Sequence, residues 1–336
     1  MNGLVVILIP LTALAIAAAL TYQLSGAESR MGLLDHPNSR SLHTQPIPRT
    51  GGLAVLGSIL ISGAGLGFTL PAARSPSLIL LIGLTPLAVV SFLDDWIGVA
   101  AKWRIFIHLL VAVSLLVAGF APDRLELPGW SGSFPRGFAL PLTLLFTVWM
   151  INLYNFMDGM DGFASGMAVI GFLTLAWLGR ADSAFTVISL IVAAASAGFL
   201  LHNFPPATIF LGDTGSTLLG FLAAACSLWG SKAGLFPFWV ALLVFSPFIV
   251  DASVTLLRRL WRGEKIWEAH RSHCYQRLVL LGWGHRRTVL VEYALMLACA
   301  GSALLAVWLS PAGQVALAVA WTLVYGLLIW RVERLR

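Results

Sequence analysis

The stretch NLYNFMDGMDG at residues 152–162 ends an apolar run with polar side chains at every third position. These residues are Asn152, Asn155, Asp158 and Asp161. Residues three apart lie on one face of a helix, so we expect a polar row along a single helix. Ionised carboxylates on adjacent turns repel each other unless a cation lies nearby, and Mg²⁺ prefers such oxygen ligands together with substrate phosphates. The alternative is a solvated helix end capped by Asp and Gly.

A second acidic stretch, SFLDDWIG at residues 91–98, directly follows an apolar run. Neighbouring residues of a helix point about 100° apart, so Asp94 and Asp95 are expected to have different partners, one a metal or cation and the other a proton. Lys102 and Arg104 follow within ten residues of the pair and suit an anionic ligand. The alternative is a pair of ordinary acids at the end of a membrane span.

A third stretch, HNFPPATIFLGDTGSTLLG at residues 202–220, has a glycine-rich turn around Asp213 that opens onto a helix. Backbone N–H groups at a helix amino terminus favour phosphate, although the P-loop pattern G-x-x-x-x-G-K-[ST] is absent. The Asp213 carboxylate would repel a bare phosphate, but it fits a phosphate that arrives with its metal. We therefore predict Asp213 as a magnesium ligand. The alternative is a plain loop cap.

A fourth stretch, EAHRSHCYQRL at residues 268–278, gathers hydrogen-bond donors in a basic loop. The donors are His270, Arg271, His273 and Arg277. Arginine binds phosphate oxygens in a bidentate manner, and the stretch lacks the cysteine or carboxylate partners of a zinc site. Diphosphate recognition is therefore predicted. The alternative is an ordinary basic loop on the cytoplasmic side of a membrane.

Asp251 lies apart from these stretches, inside the run VFSPFIVDASVTLLRR. Arg258 follows two turns later on a similar helix face, so we predict a structural ion pair between the two. His108 and His202, at the ends of predicted spans, are interpreted as polar anchors.

The composition indicates what must position these residues. The 336-residue chain is 58% hydrophobic and 11% charged, whereas soluble domains carry about 25% charged residues. Apolar runs of about 20 residues predict membrane spans, and the runs lack the alternation of barrel strands, so they are helices. We therefore predict an all-α polytopic integral membrane protein, with residues 1–336 forming a single transmembrane domain. The eleven predicted spans are 4–22, 52–70, 77–93, 105–121, 138–154, 163–179, 184–201, 215–230, 235–257, 288–308 and 312–330.

The distribution of Lys and Arg predicts the orientation. A periplasmic amino terminus and a cytoplasmic carboxyl terminus place sixteen of the twenty-one basic residues inside. In this arrangement the five aspartates at span ends all face the cytoplasm. The predicted cytoplasmic loops are approximately 23–51, 94–104, 155–162, 202–214 and 258–287.

Together the stretches resemble the polyprenyl-phosphate N-acetylhexosamine-1-phosphate transferases (glycosyltransferase family 4), relatives of the peptidoglycan phospho-MurNAc-pentapeptide translocase. The similarity runs from DHPNSRSLHTQPIPRTGG at residues 35–52 to HRSHCYQRL at residues 270–278, in the family's order. The segment HRSH stands where the peptidoglycan branch usually has three consecutive histidines, so the O-antigen-initiating branch is favoured. Arg104 and His108 occupy positions where Lys and Gln are common.

The resemblance implies roles for individual residues. Asp94 resembles the family's candidate base at the lipid phosphate, and Asp213 resembles its magnesium ligand. Asp95, beside Asp94, is predicted to be catalytic and to contribute to the metal site. The pattern N-x-x-D-G-x-D-G at 155–162 is implicated in nucleotide binding. The predicted substrate-binding residues are Lys102, Arg104, Asn152, Asn155, Asp158, Asp161, Asn203, His270, Arg271, His273 and Arg277.

The implied activity is transfer of N-acetylhexosamine-1-phosphate from a UDP-sugar to undecaprenyl phosphate, with Mg²⁺ or Mn²⁺ and release of UMP. Direct in-line attack is preferred over an aspartyl-phosphoryl intermediate. The expected location is the bacterial inner membrane, the expected partners are the two substrates and the lipid bilayer, and no nucleic acid is expected. The sequence leaves a homodimer open.

Two other functions fit the sequence less well. A secondary transporter of an anionic substrate would carry internal repeats and polar groups near mid-membrane, whereas the acids here cluster at one interface. A CDP-alcohol phosphotransferase would need D-G-x-x-A-R, but Met-Asp follows Asp158-Gly159.

Overall fold

The chain folds as a bundle of long apolar helices. A computed structural model describes residues 3–26, 33–37, 41–43, 45–133, 136–265 and 270–335. Its α-helices are α1 Gly3–Ser25, α2 Gly51–Thr69, α3 Arg74–Ile97, α4 Ala101–Val117, α5 Arg136–Met157, α6 Phe163–Leu178, α7 Ser183–Asn203, α8 Gly212–Lys232, α9 Phe238–Val244, α10 Ser246–Trp261, α11 Cys274–Leu278, α12 Gly284–Ala306 and α13 Pro311–Arg334. A 3₁₀ turn, Pro71–Ala73, precedes α3, and a π-helical turn, Val279–Trp283, joins α11 to α12.

Seven helices are long and apolar enough to cross a membrane, or eight if the bent pair α9–α10 is one span. The described residues therefore form an all-α polytopic membrane protein, as predicted. Each of the eleven predicted segments overlaps a helix, but α4 and α6 have only 17 and 16 residues, and α8 is not among the candidate spans. The count of eleven and the orientation stay predictions. Three of the sixteen basic residues placed inside, Arg30, Arg40 and Arg336, lie outside the described residues.

Helix α8 is the centre of the bundle. Every residue from Thr214 to Gly230 is buried, so this helix packs against protein instead of lipid and can carry small and polar side chains. A Cβ atom on Gly220 would lie 2.5 Å from the Met150 carbonyl oxygen of α5. At the periphery, α13 buries no residue.

Two features differ from a simple row of straight spans. The predicted span 235–257 consists of α9 and α10, which meet at an angle of 80°. Phe245 lies at the break and Pro247 is in the first turn of α10, where a residue without an N–H group is tolerated at a helix start.

The predicted polar row on one helix is wrong, because α5 ends at Met157 and residues 158–162 form a turn. Gly162 there has φ +73°, a backbone conformation that glycine adopts without steric cost. The helix direction therefore changes between Asn155 and Asp161, and their side chains lie in different surroundings.

Short hairpins supplement the helices. Strands β1, Leu34–Asp35, and β2, Ile47–Pro48, pair antiparallel, as do β3, Arg124–Leu127, and β4, Trp130–Ser133. Strand β2 and the start of α2 also bind the turn before α8: Phe210 N donates to Pro48 O at 2.6 Å, and Gly52 N donates to Leu211 O at 2.8 Å. The first loop thus fixes the approach to the α8 amino terminus.

Candidate active site

A cavity of about 790 Å³ lies between α3, α4, α5, α8, α9 and α10. Part of its wall is polar and is formed by Asp94, Arg104, Asn155 and Asp213. Another part is apolar and includes Leu142, Leu145, Phe146, Trp149, Phe238 and Leu242. Such a cavity suits a molecule that has a charged group at one end and hydrocarbon at the other, since buried charges need polar partners and hydrocarbon leaves water favourably.

Two carboxylates from separate helices meet at Arg104. Its Nη1 donates to Asp94 Oδ2 at 2.5 Å and lies 3.5 Å from Asp213 Oδ2. Asp94 Oδ1 accepts a second hydrogen bond from Val99 N at 2.7 Å. The Arg104 side chain remains 37% exposed, so it retains room to contact an incoming anion.

Asn155 connects α5 to this pair. Its Nδ2 donates to Asp213 Oδ1 at 2.8 Å and to Ser216 Oγ at 3.1 Å. Asn152, one turn earlier, also lines the cavity; its Nδ2 donates to Val148 O at 2.7 Å and lies 3.2 Å from His108 Nδ1. The two amides of α5 thus face the cavity, as the spacing predicted.

Asp95 is placed differently from its neighbour. Its Oδ1 accepts from Asp213 N at 3.0 Å, and its Oδ2 accepts from Thr214 N at 2.9 Å and from Thr214 Oγ1 at 2.8 Å. Asp95 therefore caps the amino terminus of α8. Gly212, with φ +73°, brings the chain so close that a Cβ there would lie 3.0 Å from Asp95 Oδ2. This geometry favours a capping role over metal binding for Asp95.

Asp158 and Asp161 lie in the turn after α5, and neither lines the cavity. Burial raises the pKa of Asp158 well above its usual range, and the carboxylates of Asp213, Asp95 and Asp161 add to this effect. Asp158 therefore lies within electrostatic range of the cavity acids.

Asp161 joins three segments of the chain. Its Oδ2 accepts from Ala207 N at 3.0 Å, and its Oδ1 lies 2.9 Å from His285 Nδ1. It therefore holds the turn after α5, the loop before α8 and the start of α12 together.

Asn203 supports the same turn. Its Oδ1 accepts from Gly162 N and from Ser165 Oγ, both at 3.0 Å, while its Nδ2 donates to Ile209 O at 3.0 Å. The side chain is buried and does not line the cavity. Its contacts position the loops that carry the site.

The basic loop contributes two of its four predicted residues to the cavity wall, His270 and His273. Burial, together with the nearby charges of His273 and Arg259, lowers the pKa of His270 to about 4. His270 is therefore a neutral hydrogen-bonding group at pH 7. Arg271 is exposed, and Arg277 is half-buried away from the cavity.

Lys102 also lies outside the cavity wall. Its side chain is exposed, with Nζ 5.7 Å from the centre of the Trp103 ring.

Asp251 anchors the histidine loop, and the predicted pair with Arg258 is wrong. Arg258 binds Glu333 on α13. Asp251 instead accepts hydrogen bonds from Cys274 N at 2.9 Å and Tyr275 N at 3.3 Å, and its Oδ1 lies 3.4 Å from His273 Nδ1. The loop turns back onto α10 at this point, so the carboxylate meets partners that are distant in sequence.

Comparisons with known proteins show which family the chain belongs to. The model of the family described as "Glycosyl transferase family 4" matches residues 77–231, which include Asp94, Asn155 and Asp213. The probable undecaprenyl-phosphate N-acetylglucosaminyl 1-phosphate transferase of Bacillus subtilis is 34% identical over 273 residues, covering 79% of this chain and 74% of the relative.

This chain is a member of glycosyltransferase family 4. The decaprenyl-phosphate N-acetylglucosaminephosphotransferase of Mycolicibacterium smegmatis is 30% identical over 370 residues, with 98% of this chain and 90% of the relative covered. The phospho-N-acetylmuramoyl-pentapeptide-transferase of Halalkalibacterium halodurans is 30% identical over 282 residues, with 78% and 84% covered. The resemblance drawn from the four motifs is thereby confirmed, and the chain is a membrane-embedded transferase.

This family member also has cavity residues that the motifs did not predict. His108 lines the cavity, and it lies four residues after Arg104 on α4, where i and i+4 side chains share a helix face. The i, i+4 spacing from Arg104 could therefore have predicted His108 as a cavity residue. Thr217 and Ser91, 2.8 Å apart between their hydroxyl oxygens, and Gln276 also line the wall; no pattern in the sequence singled them out.

The residues present fit a divalent ion. Within the described ranges, no group of three or more His, Cys, Asp or Glu side chains is arranged to hold a metal. Magnesium, however, commonly takes only one or two protein carboxylates and completes its shell with substrate phosphates and water. Asp94 and Asp213, drawn to the same guanidinium, offer such a pair.

Proposed function

We propose that this transferase moves N-acetylhexosamine-1-phosphate from a UDP-sugar to undecaprenyl phosphate and releases UMP. The observation that carries the proposal is that Asp94, Asp213 and Arg104 adjoin an apolar wall within one cavity. The polar part suits the phosphates, and the apolar part suits the first isoprene units of the lipid. The names of the relatives from Bacillus subtilis and Mycolicibacterium smegmatis make N-acetylglucosamine the first sugar to test.

In this proposal an oxygen of the lipid phosphate attacks the β-phosphorus of the donor. A bond forms between that oxygen and the β-phosphorus, and the bond from the β-phosphorus to the bridging oxygen breaks, so that UMP leaves with the bridging oxygen. Phosphoryl transfer depends mainly on positioning and charge neutralisation. Direct attack therefore needs no covalent intermediate on Asp94 or Asp213.

Each polar side chain at the site would have its own role in the transfer. Arg104 would exchange its carboxylate contacts for an incoming phosphate oxygen, since arginine pairs well with phosphate. Asp94 would orient the lipid phosphate and accept any proton it carries. Asn155 would hold Asp213, and the neutral His270 would donate a hydrogen bond to the diphosphate.

A divalent ion, Mg²⁺ or Mn²⁺, would be held by Asp213 and Asp94 and would neutralise charge on the diphosphate. We further propose that the cavity faces the cytoplasm of a bacterial inner membrane and that the product starts O-antigen or another cell-envelope polysaccharide. The predicted eleven spans with a periplasmic amino terminus support this orientation, because they place the acids inside.

The test uses purified protein, undecaprenyl phosphate, Mg²⁺ and a panel of UDP-sugars, and it follows UMP release. Asp213→Asn should reduce turnover about a hundredfold or more, as loss of one preorganised electrostatic group does. Asp182→Asn is the matched control, because Asp182 also sits at a helix start, where it accepts from Ala184 N and Phe185 N, and does not line the cavity.

Near-normal turnover of Asp213→Asn would remove this residue from the site. Substrate flux into sealed vesicles without UMP release would favour the transporter instead.

A further inference from the structure

A second cavity lies on the other half of the bundle. This groove, of about 610 Å³, is bounded by α2, α3, α7 and α8. Its α3 wall runs from Arg74 to Leu84, whereas Asp94 lies near the opposite end of the same helix. Twenty residues of α-helix span about 30 Å, the hydrocarbon thickness of a bilayer. The groove therefore belongs to the leaflet opposite the candidate active site.

The walls of the groove are apolar and face lipid. Leu78 and Leu81 on α3 are 58% and 40% exposed, and Gly63 and Gly67 on α2 leave space between the helices. A Cβ on Gly63 would meet no atom within 4 Å. At this depth the surrounding solvent is hydrocarbon, so an acyl chain is the molecule that fills the space.

The mouth of the groove carries a cation with free donors. Arg74 Nε donates to Gly67 O at 2.7 Å, which holds the guanidinium across the end of α2. Within the described residues, the two Nη groups have neither a hydrogen bond nor an ion pair. Ser77 also lines the groove, and its Oγ is buried without a partner. A phosphate oxygen at the mouth would satisfy the free Arg74 donors, because arginine binds phosphate oxygens well.

We propose that this groove binds one anionic phospholipid, with its phosphate on Arg74 and one acyl chain between α2 and α3. Charge complementarity selects the lipid: Arg74 is the one charged residue among the described residues that line the groove. The bound lipid contacts α3 and α8, the helices that carry Asp94 and Asp213. A ligand that binds only the folded chain stabilises it by mass action, so the lipid would stabilise the bundle from the leaflet remote from the chemistry.

The test is native mass spectrometry of the delipidated full-length protein in detergent, titrated with phosphatidylglycerol or phosphatidylcholine of identical acyl chains. We expect one retained lipid, with phosphatidylglycerol bound about tenfold more tightly, because both lipids carry the phosphate but the choline cation of phosphatidylcholine offsets its attraction for Arg74. Arg74→Gln should abolish the preference. Arg180→Gln should keep it, because Arg180 stacks on Trp177 at 3.9 Å and lies outside the groove.

A second pair of variants tests the acyl site. Gly63→Phe should fill the groove and abolish retention of either lipid, whereas Gly65→Phe, on the same helix but outside the groove, should behave as the unaltered protein. Thermal unfolding and UMP release check that each variant is folded. Equal binding of the two lipids, or undiminished retention by Gly63→Phe, would overturn the proposal. Displacement of the lipid by undecaprenyl phosphate would do so too, because it would assign the groove to the substrate.

Discussion

At the scale of single residues, Arg104 determines the electrostatics of the site. Its single positive charge lies beside two carboxylates and offsets part of their mutual repulsion, since its Nη1 approaches both within 3.5 Å. A partly exposed arginine in this position can release either acid when another cation arrives. The site therefore depends on Arg104 exchanging its ionic partners and does not hold a fixed set of ligands.

Asp251 offers a prediction about positioning. Asp251→Ala removes the acceptor of Cys274 N and Tyr275 N and the neighbour of His273, so His273 should lose its place in the cavity wall. Misplacement by about 1 Å can cost about a hundredfold in rate, and we expect a fall of that order in kcat, with a smaller fall for Asp251→Asn. Steady-state kinetics with the UDP-sugar measures both.

Glu333→Ala is the control for this prediction, because it breaks an ion pair at Arg258, on the same helix α10 as Asp251 but outside the cavity wall. The control should retain its kcat. A normal kcat for Asp251→Ala would contradict the positioning role.

Residue types alone predicted part of the site. Asp94, Asn155 and Asp213 stand out because polar groups are costly inside an apolar chain, and these three meet in the cavity. The partners of Asp95 and Asp161 could not be predicted, since they lie at Thr214 and Ala207, 119 and 46 residues away. Spacing along one segment contains no information about such contacts.

At the scale of elements, the start of α8 is the part on which the site depends. Asp95→Ala should expose three unsatisfied donors at this helix end and lower the free energy of unfolding by about 1–2 kcal/mol, as loss of a cap does. Turnover should fall with it, because Asp213 is in the first turn of α8. Thermal unfolding and UMP release measure the two effects.

Asp182→Ala, which removes the cap of α7, should lower stability by about 1 kcal/mol and leave turnover nearly unchanged. If Asp95→Ala abolished turnover without any change in stability, the predicted role in metal binding would be favoured over capping.

The ends of elements were the hardest features to predict. The pattern Asn152, Asn155, Asp158, Asp161 continues the helical period past Met157, where the helix stops. Tertiary hydrogen bonds to Asn203 and Tyr293 hold Gly162 in the turn, and these contacts override the local periodicity. The break between α9 and α10 could not be predicted either, because it lies inside the continuous apolar run of the predicted span 235–257.

At the scale of the whole molecule, close helix packing sets the distance between Asn155 and Asp213. Gly220→Ala would place a methyl group 2.5 Å from Met150 O and 2.8 Å from Ile151 Cα, both backbone atoms that cannot rotate away. Helices α5 and α8 must separate, which should cost about 1–3 kcal/mol in unfolding free energy and reduce turnover. Thermal unfolding and UMP release test this together.

Gly301→Ala on α12 is the control, since a Cβ there meets nothing within 4 Å; it should leave turnover unchanged and should not lower stability, because alanine is the better helix former. A Gly220→Ala protein with normal stability would show that the helices can adjust to the added methyl group.

The membrane architecture follows from composition, whereas the distinction between central and peripheral helices does not. Hydropathy identifies helices that meet lipid, such as α13, with no buried residue. Helix α8 is buried along nearly its whole length and is therefore free to be less apolar. The apolar run predicted this helix as the span 215–230, but hydropathy alone does not show that it lies at the centre of the bundle beside the site.

The ion pair between Asp94 and Arg104 has a consequence for biosynthesis. Its members are ten residues apart on consecutive helices, so both are synthesised before α5. Asp213 is synthesised 109 residues after Arg104. The nascent α3–α4 hairpin can thus enter the bilayer with Asp94 already paired, which lowers the cost of its charge at the edge of the hydrocarbon. Arg104 then serves Asp94 alone until translation supplies Asp213.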